Sequence, residues 1–279
     1  MNVSTKLTSL GWHLGAALIA VTLGASPSFA QAEAAEDISA PMANATPQNG
    51  FWVDPNFGSG RSVILEVVAS TGELFASTLV YDDSGRAVWY VINSVPNVAV
   101  PSAQLQQFAG GQSLNSNFRA PAFIGSMGTA VFTFDTTTTG TISLPGGVVM
   151  NIHRLNLVAG GAAAGPSAGA PANGWWYNAS ESGRGFFLES QSGTMMFSAL
   201  EYNDLGQATW YYARGAMTTA TTFTGSLIEP FGGQTLNGAN STATQNYPRG
   251  TVTIQFSSST TGTITEPSGR QTAIVRYGF

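Results

Sequence analysis

The chain has no cysteine and only one lysine among its 279 residues. Without cysteine it can form neither a disulfide nor a thiolate centre. Histidine is almost as scarce, since His13 lies in the first thirty residues and His153 is the only other one. A catalytic triad or a zinc site built on histidine is therefore nearly excluded.

Charged residues are also few, at 9% of the chain. After residue 30 the only basic side chains are nine arginines, which stand against fifteen acids and give a formal charge of −6. This balance excludes nucleic acid as an expected partner and disfavours anionic membranes. At 43% hydrophobic residues the chain is too apolar to be disordered, so we expect a folded protein with an uncharged polar surface.

The first thirty residues have the pattern of a secretory signal peptide. Lys6 precedes a short apolar run, Leu14 to Leu23, and Ser28-Phe29-Ala30 is typical of a cleavage site. We expect cleavage after Ala30 and a mature protein in the periplasm or outside the cell. The apolar run is short for a membrane helix of ~20 residues, and no later run is longer, so no integral membrane span is expected.

The mature sequence repeats itself once, with matching positions 121–124 residues apart. A repeat of this length is a whole small domain. Matching segments are Asn49-Gly50-Phe51-Trp52 and Asn173-Gly174-Trp175-Trp176; Ser59-Gly60-Arg61 and Ser182-Gly183-Arg184; Leu65-Glu66 and Leu188-Glu189; Trp89-Tyr90 and Trp210-Tyr211; Gly110-Gly111-Gln112 and Gly232-Gly233-Gln234. The repeat predicts domains at 49–157 and 173–279, after a flexible lead at 31–48. Residues 158–172, rich in Ala, Gly and Pro, are predicted to be a linker that does not pack.

Apolar residues alternate within each copy, as Val63, Leu65 and Val67 do. Turn residues such as Asp83-Ser84-Gly85 separate the alternating runs and favour hairpins. No helix is expected after the signal. Short strands with a turn every 8–12 residues predict an all-β fold, which we expect to be two tandem antiparallel up-and-down β-barrel-like domains.

Each copy opens with Gly-x-Trp and closes its last strand with an arginine, which pairs Trp52 with Arg154 and Trp176 with Arg276. This arrangement resembles the calycin group of lipocalins, fatty-acid-binding proteins and avidin-like barrels. The resemblance implies that the guanidinium covers the indole and closes the barrel. A cation–π contact of this kind contributes roughly 0.5–2 kcal/mol.

A second resemblance covers about the first half of each copy. Asn173-Gly174-Trp175-Trp176, then Ser182-Gly183-Arg184-Gly185 and Leu188-Glu189-x-Gln191, looks like a repeat of secreted proteobacterial proteins with the pattern G-x-W-W-N-P, S-G-x-G, L-E-x-Q and Y-x-x-x-G-x-x-x-W-Y. The first copy departs from this pattern at Phe51 and Ser62. The resemblance implies secretion from a Gram-negative cell and implies no activity.

The aromatic residues are the richest functional candidates, and the second copy, which has more of them than the first, is the better candidate for binding. Some must form the core, but rings on both faces of paired strands would leave one face for a ligand. We expect a non-catalytic protein without a cofactor or metal, binding a small apolar molecule or a glycan. The predicted stacking residues are Trp175, Trp210, Tyr211 and Tyr212, with Arg184 and Glu189 as polar anchors.

Two alternatives stay open. Glu66 and Glu189 recur at one strand position and could serve a glycosidase-like hydrolase, although no second acid recurs with them; the competing interpretation is that they are structural. The terminal alternation that ends at Phe279 also fits an outer-membrane β-barrel. The Gly110-Gly111 and Gly232-Gly233 pairs lack the lysine and helix of a phosphate loop.

Overall fold

The computed structural model describes residues 45–54, 60–94 and 101–278. The predicted signal peptide, most of the predicted lead, Ser59 and Phe279 lie outside the described residues. Among those that are described, no helix has the length and apolarity needed to cross a membrane.

The first repeat forms one closed antiparallel barrel of eight strands, each paired with the next and the last with the first. Its strands are β1 (Gly50–Val53), β2 (Ser62–Val67), β3 (Leu74–Tyr81), β4 (Ala87–Asn93), β5 (Ser102–Ala109), β6 (Ala122–Phe134), β7 (Thr139–Leu144) and β8 (Val148–Arg154). We call it the first barrel.

The second repeat forms a barrel with the same strand order, the second barrel. Its strands are β9 (Gly174–Tyr177), β10 (Gly185–Gln191), β11 (Thr194–Tyr202), β12 (Ala208–Thr219), β13 (Thr222–Phe231), β14 (Gln245–Phe256), β15 (Thr261–Thr265) and β16 (Gln271–Arg276). The predicted all-β class with two tandem up-and-down barrels is thus confirmed.

The predicted closure residues lie opposite each other in the strand register. Trp52 pairs with Arg154 across β1 and β8, and Trp176 pairs with Arg276 across β9 and β16. Both indoles are fully buried, and Trp52 packs edge-on against Phe134 at 5.7 Å. The tryptophans therefore fill the barrel interiors, as large side chains do in small closed barrels.

The segment between the barrels differs from the sequence expectation. It contains a single helical turn, α1 (Gly161–Ala164), and it packs. The backbone N–H of Ser192 donates to the carbonyl of Gly165 at 3.0 Å, and the N–H of Ala172 donates to Ser259 at 2.8 Å. Backbone hydrogen bonds therefore attach this segment to the second barrel, although it has almost no large apolar side chains and most of its residues are exposed.

Candidate functional site

The two barrels share an extensive interface, because one face of β2–β4 in the first barrel and one face of β10–β12 in the second are covered by the other barrel. All eight residues of β3 are buried, although alternate side chains on a strand point to opposite faces. On β11, Phe197 and Ala199 face the interior of the second barrel, whereas Leu200 and Tyr202 join the cluster shared with the first barrel. The aromatic face that sequence analysis left for a ligand is mostly this interface.

A buried carboxylate from each barrel bonds the first strand of the other barrel. The backbone N–H of Phe51 donates to Glu189 Oε2 at 2.9 Å, and Arg154 forms an ion pair with the same carboxylate. The relationship is reciprocal, since the N–H of Trp175 donates to Glu66 Oε2 at 3.1 Å and Arg276 pairs with Glu66. Both glutamates are therefore structural residues of the interface.

This cross-barrel ion pair also explains the glycine of the Gly-x-Trp motif. Gly50 has a φ of +139°, and a Cβ there would overlap both the guanidinium of Arg154 and the carboxylate of Glu189. Gly174, with a φ of +124°, stands in the same relation to Arg276. The motif therefore needs glycine for backbone conformation and for space.

The Gly-Gly-Gln repeats form loops that cover the end of the opposite barrel; we call residues 110–116 and 232–238 the cap loops. Leu114 from the first repeat belongs to an apolar cluster whose other members all lie in the second barrel. Leu236 from the second repeat lies in the cluster that combines the first barrel's interior with the interface, and its carbonyl accepts a hydrogen bond from Arg61 at 2.8 Å. The interior of each barrel is thus covered by a leucine from the other repeat.

The second glycine of each cap loop lies against a tyrosine of the opposite barrel. A Cβ on Gly111 would overlap the ring of Tyr202, and one on Gly233 would overlap the ring of Tyr81. The N–H of Tyr81 donates to Gln234 at 3.1 Å, and that of Tyr202 donates to Gln112 at 3.2 Å. Close approach of these loops to the tyrosines requires glycine.

The indoles of Trp89 and Trp210 complete the reciprocal set. Trp89 donates to the carbonyl of Glu201 at 3.0 Å, and Trp210 donates to that of Val80 at 3.2 Å. Because these contacts recur with the two repeats exchanged, the interface is approximately isologous, as in a two-fold symmetric dimer. The two barrels are therefore related by an approximate two-fold axis.

An open cavity of about 220 Å³ lies between the barrels on one side of this axis. We call it the interbarrel cavity. It is lined by Phe51, Val53, Ser62, Tyr81 and Leu155 of the first barrel and by Met196, Trp210, Tyr212, Arg214, Pro230, Ala243 and Asn246 of the second.

The equivalent place on the other side of the axis is filled; we call it the filled site. Its cavity measures about 20 Å³ and is lined by Phe75, Trp89 and Trp175, among others. Phe75, the counterpart of Met196, lies edge-on to Trp175 at 5.2 Å and stacks on Tyr277 at 6.5 Å. Tyr277 is the counterpart of Leu155. Larger rings at these two positions, together with Trp175 in place of Phe51, therefore occupy the space that stays open in the interbarrel cavity.

Two of the predicted stacking residues line the interbarrel cavity and two do not. Trp210 and Tyr212 lie on one face of β12 and border it. Tyr211 points to the interior of the second barrel, because side chains alternate along a strand. Trp175 packs between Phe75 and Phe187 at the filled site and is fully buried, so it offers no surface to a ligand.

Both predicted polar anchors have protein partners instead. Glu189 is bound to Arg154, as described above. Arg184 is 1% exposed and donates to Glu201 at 3.1 Å, to Glu266 at 2.7 Å and to Thr272 at 2.6 Å. Burial alone would lower the pKa of Arg184, and the surrounding carboxylates raise it. Neither side chain lines the interbarrel cavity.

The arginine cluster is specific to the second barrel. Complete burial raises the pKa of Glu201 to about 7, partly opposed by Arg184 and reinforced by Glu266. The first repeat has Val80 and Leu144 where the second has Glu201 and Glu266. This cluster was not predicted from the sequence. The signal for it was the presence of glutamates at positions 201 and 266, where the first repeat has aliphatic residues.

The arginines predicted to close the barrels, Arg154 and Arg276, form hydrogen bonds and ion pairs instead of covering the indoles. Arg154 donates to the carbonyl of Phe51 at 2.9 Å and pairs with Glu189. Arg276 donates to the carbonyls of Asn173 and Trp175 at 2.9 and 3.0 Å. Within the part of the chain that the structure describes, cation–π contacts involve Arg184 and Arg249, not these two arginines.

Comparisons with protein-family models, with curated proteins and with solved structures find no match to this chain.

Proposed function

We propose that this chain is a non-catalytic binding protein that takes a small apolar molecule into the interbarrel cavity. One observation carries the proposal: the filled site holds about 20 Å³, whereas the interbarrel cavity holds about 220 Å³. An engineered apolar cavity of about 150 Å³ is large enough to bind benzene. The space therefore suits a ligand of one or two fused rings, or a short aliphatic chain.

The lining favours an apolar ligand over a glycan. Phe51, Val53, Leu155, Met196 and Trp210 supply hydrocarbon surface from both barrels. A sugar ring stacks on an aromatic face that is open to solvent, but Trp210 is 6% exposed and its N–H is already bonded to Val80. Burial of an apolar ligand is favourable by about 25 cal/mol per Å² of area removed from water.

The hydrolase alternative has no comparable support. Glu66 and Glu189 are the carboxylates that it would use, and each is bonded to an arginine and to a backbone N–H of the opposite barrel. Burial raises the pKa of Glu66, opposed by Arg276. A buried carboxylate whose oxygens bind an arginine and a backbone N–H stabilises the interface and is not accessible to a substrate.

Transferring the side chains of the filled site into the interbarrel cavity tests the proposal. Isothermal titration with 2-naphthamide, a neutral probe of suitable size, is expected to give one site per wild-type chain. Met196→Phe with Leu155→Tyr should abolish binding and leave the fold intact, because the filled site already accommodates those residues. The reverse pair, Phe75→Met with Tyr277→Leu, should raise the stoichiometry toward two.

The reverse pair is the matched control, because it changes the same residue types without touching the interbarrel cavity. Binding that survives in the first double variant, with its far-ultraviolet circular dichroism unchanged, would refute the proposed site. Absence of any heat or tryptophan fluorescence change with the folded wild type would contradict the proposed function.

A further inference from the structure

The cavity-facing side of β12 changes from apolar to charged along its length. Trp210, Tyr212 and Arg214 alternate on this side; Trp210 is buried, Tyr212 half-buried and Arg214 exposed. At about 3.3 Å per residue, the strand spans roughly 13 Å between the first and the last of them. The cavity therefore has a deep aromatic end and a cationic rim.

Arg214 differs from the other arginines of the chain in how it is used. Six of the others form ion pairs: Arg86, Arg154, Arg184, Arg249, Arg270 and Arg276. Arg119 donates twice to Gly111, and Arg61 is buried under the cap loop. Arg214 donates to the carbonyl of Leu157 and, among the described residues, has no carboxylate partner.

The repeat provides an internal comparison for this arginine. Its counterpart in the first repeat is Asn93, which lies opposite Phe75 of the filled site in the strand register. At this position the cationic side chain thus occurs on β12, which borders the open cavity, and not on the equivalent strand β4. In a chain with an excess of acids, an exposed guanidinium beside an apolar cavity is suited to recognise an anionic group.

We propose that the ligand is an amphiphilic anion whose apolar body enters the interbarrel cavity and whose carboxylate, or similar anionic group, binds Arg214 at the rim. This inference rests on the proposed function and adds the chemical class of the ligand. A guanidinium that is already held by one backbone acceptor has a fixed position, and its remaining N–H groups can form a two-pronged contact with a carboxylate.

A matched pair of probes separates the inference from the function on which it rests. The wild type should bind 2-naphthoate about tenfold more tightly than 2-naphthamide, which corresponds to about 1.4 kcal/mol. Arg214→Gln should abolish this preference by lowering the affinity for 2-naphthoate to about that for 2-naphthamide. Higher ionic strength should reduce the preference of the wild type, because an exposed ion pair is screened by salt.

Arg86→Gln is the control variant: it removes the same charge from a side chain that pairs with Asp82 and does not line the cavity, so it should retain the preference. Arg214→Lys should retain part of it. Equal affinity of the wild type for both probes, or an unchanged preference in Arg214→Gln, would overturn the inference and leave the apolar site standing. If the wild type binds neither probe, the proposed function fails and the inference fails with it.

Discussion

Glu189 of the second barrel accepts a hydrogen bond from the backbone N–H of Phe51, the second residue of the first barrel. Its oxygens also accept hydrogen bonds from Arg154 and from the side-chain amide of Gln191, so the negative charge of this buried carboxylate is compensated by donors. Glu66 has the corresponding position toward Trp175. Two residues that recur in a sequence repeat are thus explained by contacts between the repeats.

Glu189→Gln is expected to lower the free energy of unfolding by about 3 kcal/mol. Removing one partner of a buried ion pair leaves the other charge without compensation, which costs about 3–5 kcal/mol, and the remaining amide recovers part of this. Urea denaturation followed by tryptophan fluorescence measures the change.

Asp204→Asn, which removes an exposed carboxylate on the β11–β12 turn, is the control and should change the unfolding free energy by less than about 0.5 kcal/mol. A Glu189→Gln protein as stable as the wild type would contradict the structural role of the carboxylate.

Leu236→Ala is expected to destabilise the first barrel, although the residue belongs to the second repeat. Truncation of a buried leucine costs about 2–5 kcal/mol, and Leu236 is 6% exposed, so we expect about 3 kcal/mol. Hydrogen exchange should locate the loss of protection in β2 and β3, next to Arg61, rather than around the mutated loop alone.

Leu114→Ala should have the reciprocal effect on the second barrel. Leu205→Ala is the matched control, because this leucine is 83% exposed and its truncation should be nearly neutral. Loss of protection confined to the barrel that carries the substitution would disprove capping by the opposite repeat.

The free energy of unfolding should fall as the pH rises from about 4.5 to about 7, in part because of Glu201. Burial raises its folded-state pKa to about 7, above its usual value of 4.5. Between these values the folded protein holds a proton that the unfolded chain releases, so the contribution is complete below pH 4.5 and is lost as the pH rises. Since one pKa unit corresponds to about 1.4 kcal/mol, the fall is on the order of 2–3 kcal/mol.

Glu201→Gln should flatten this dependence, because a neutral amide resembles the protonated acid. Urea denaturation of both proteins between pH 4 and about 7.5 measures the two slopes. Parallel slopes would exclude Glu201 as the source, and a slope of the opposite sign would mean that its pKa is lowered by Arg184 rather than raised by burial.

The barrel architecture could be predicted from the sequence because strand alternation and turn residues are local signals. The full lengths of two strands could not be predicted in the same way: β6 begins at Ala122 and β14 at Gln245. Their first halves contain Gly125, Gly128 and Gly250, all with positive φ, and these glycines interrupt the apolar alternation that indicates a strand.

The site could be predicted only in part, because alternation identifies two faces of a strand without saying what covers the second one. Trp210 and Tyr212 were selected for their rings and line the cavity, but Trp175 was selected by the same criterion and is buried. A better signal lay in the differences between the copies. Phe51 and Ser62, where the first copy departs from the repeat pattern, both border the cavity.

The exchange of leucines between the cap loops has a consequence for the origin of this molecule. A single repeat on its own would expose the open end of its barrel and a leucine with nothing to cover, so the smallest self-sufficient form of the fold is a pair. An ancestral chain with one repeat would have had to associate as a homodimer with two identical clefts. After duplication and fusion the two clefts could diverge in sequence, so that aromatic side chains filled one of them while the other stayed open.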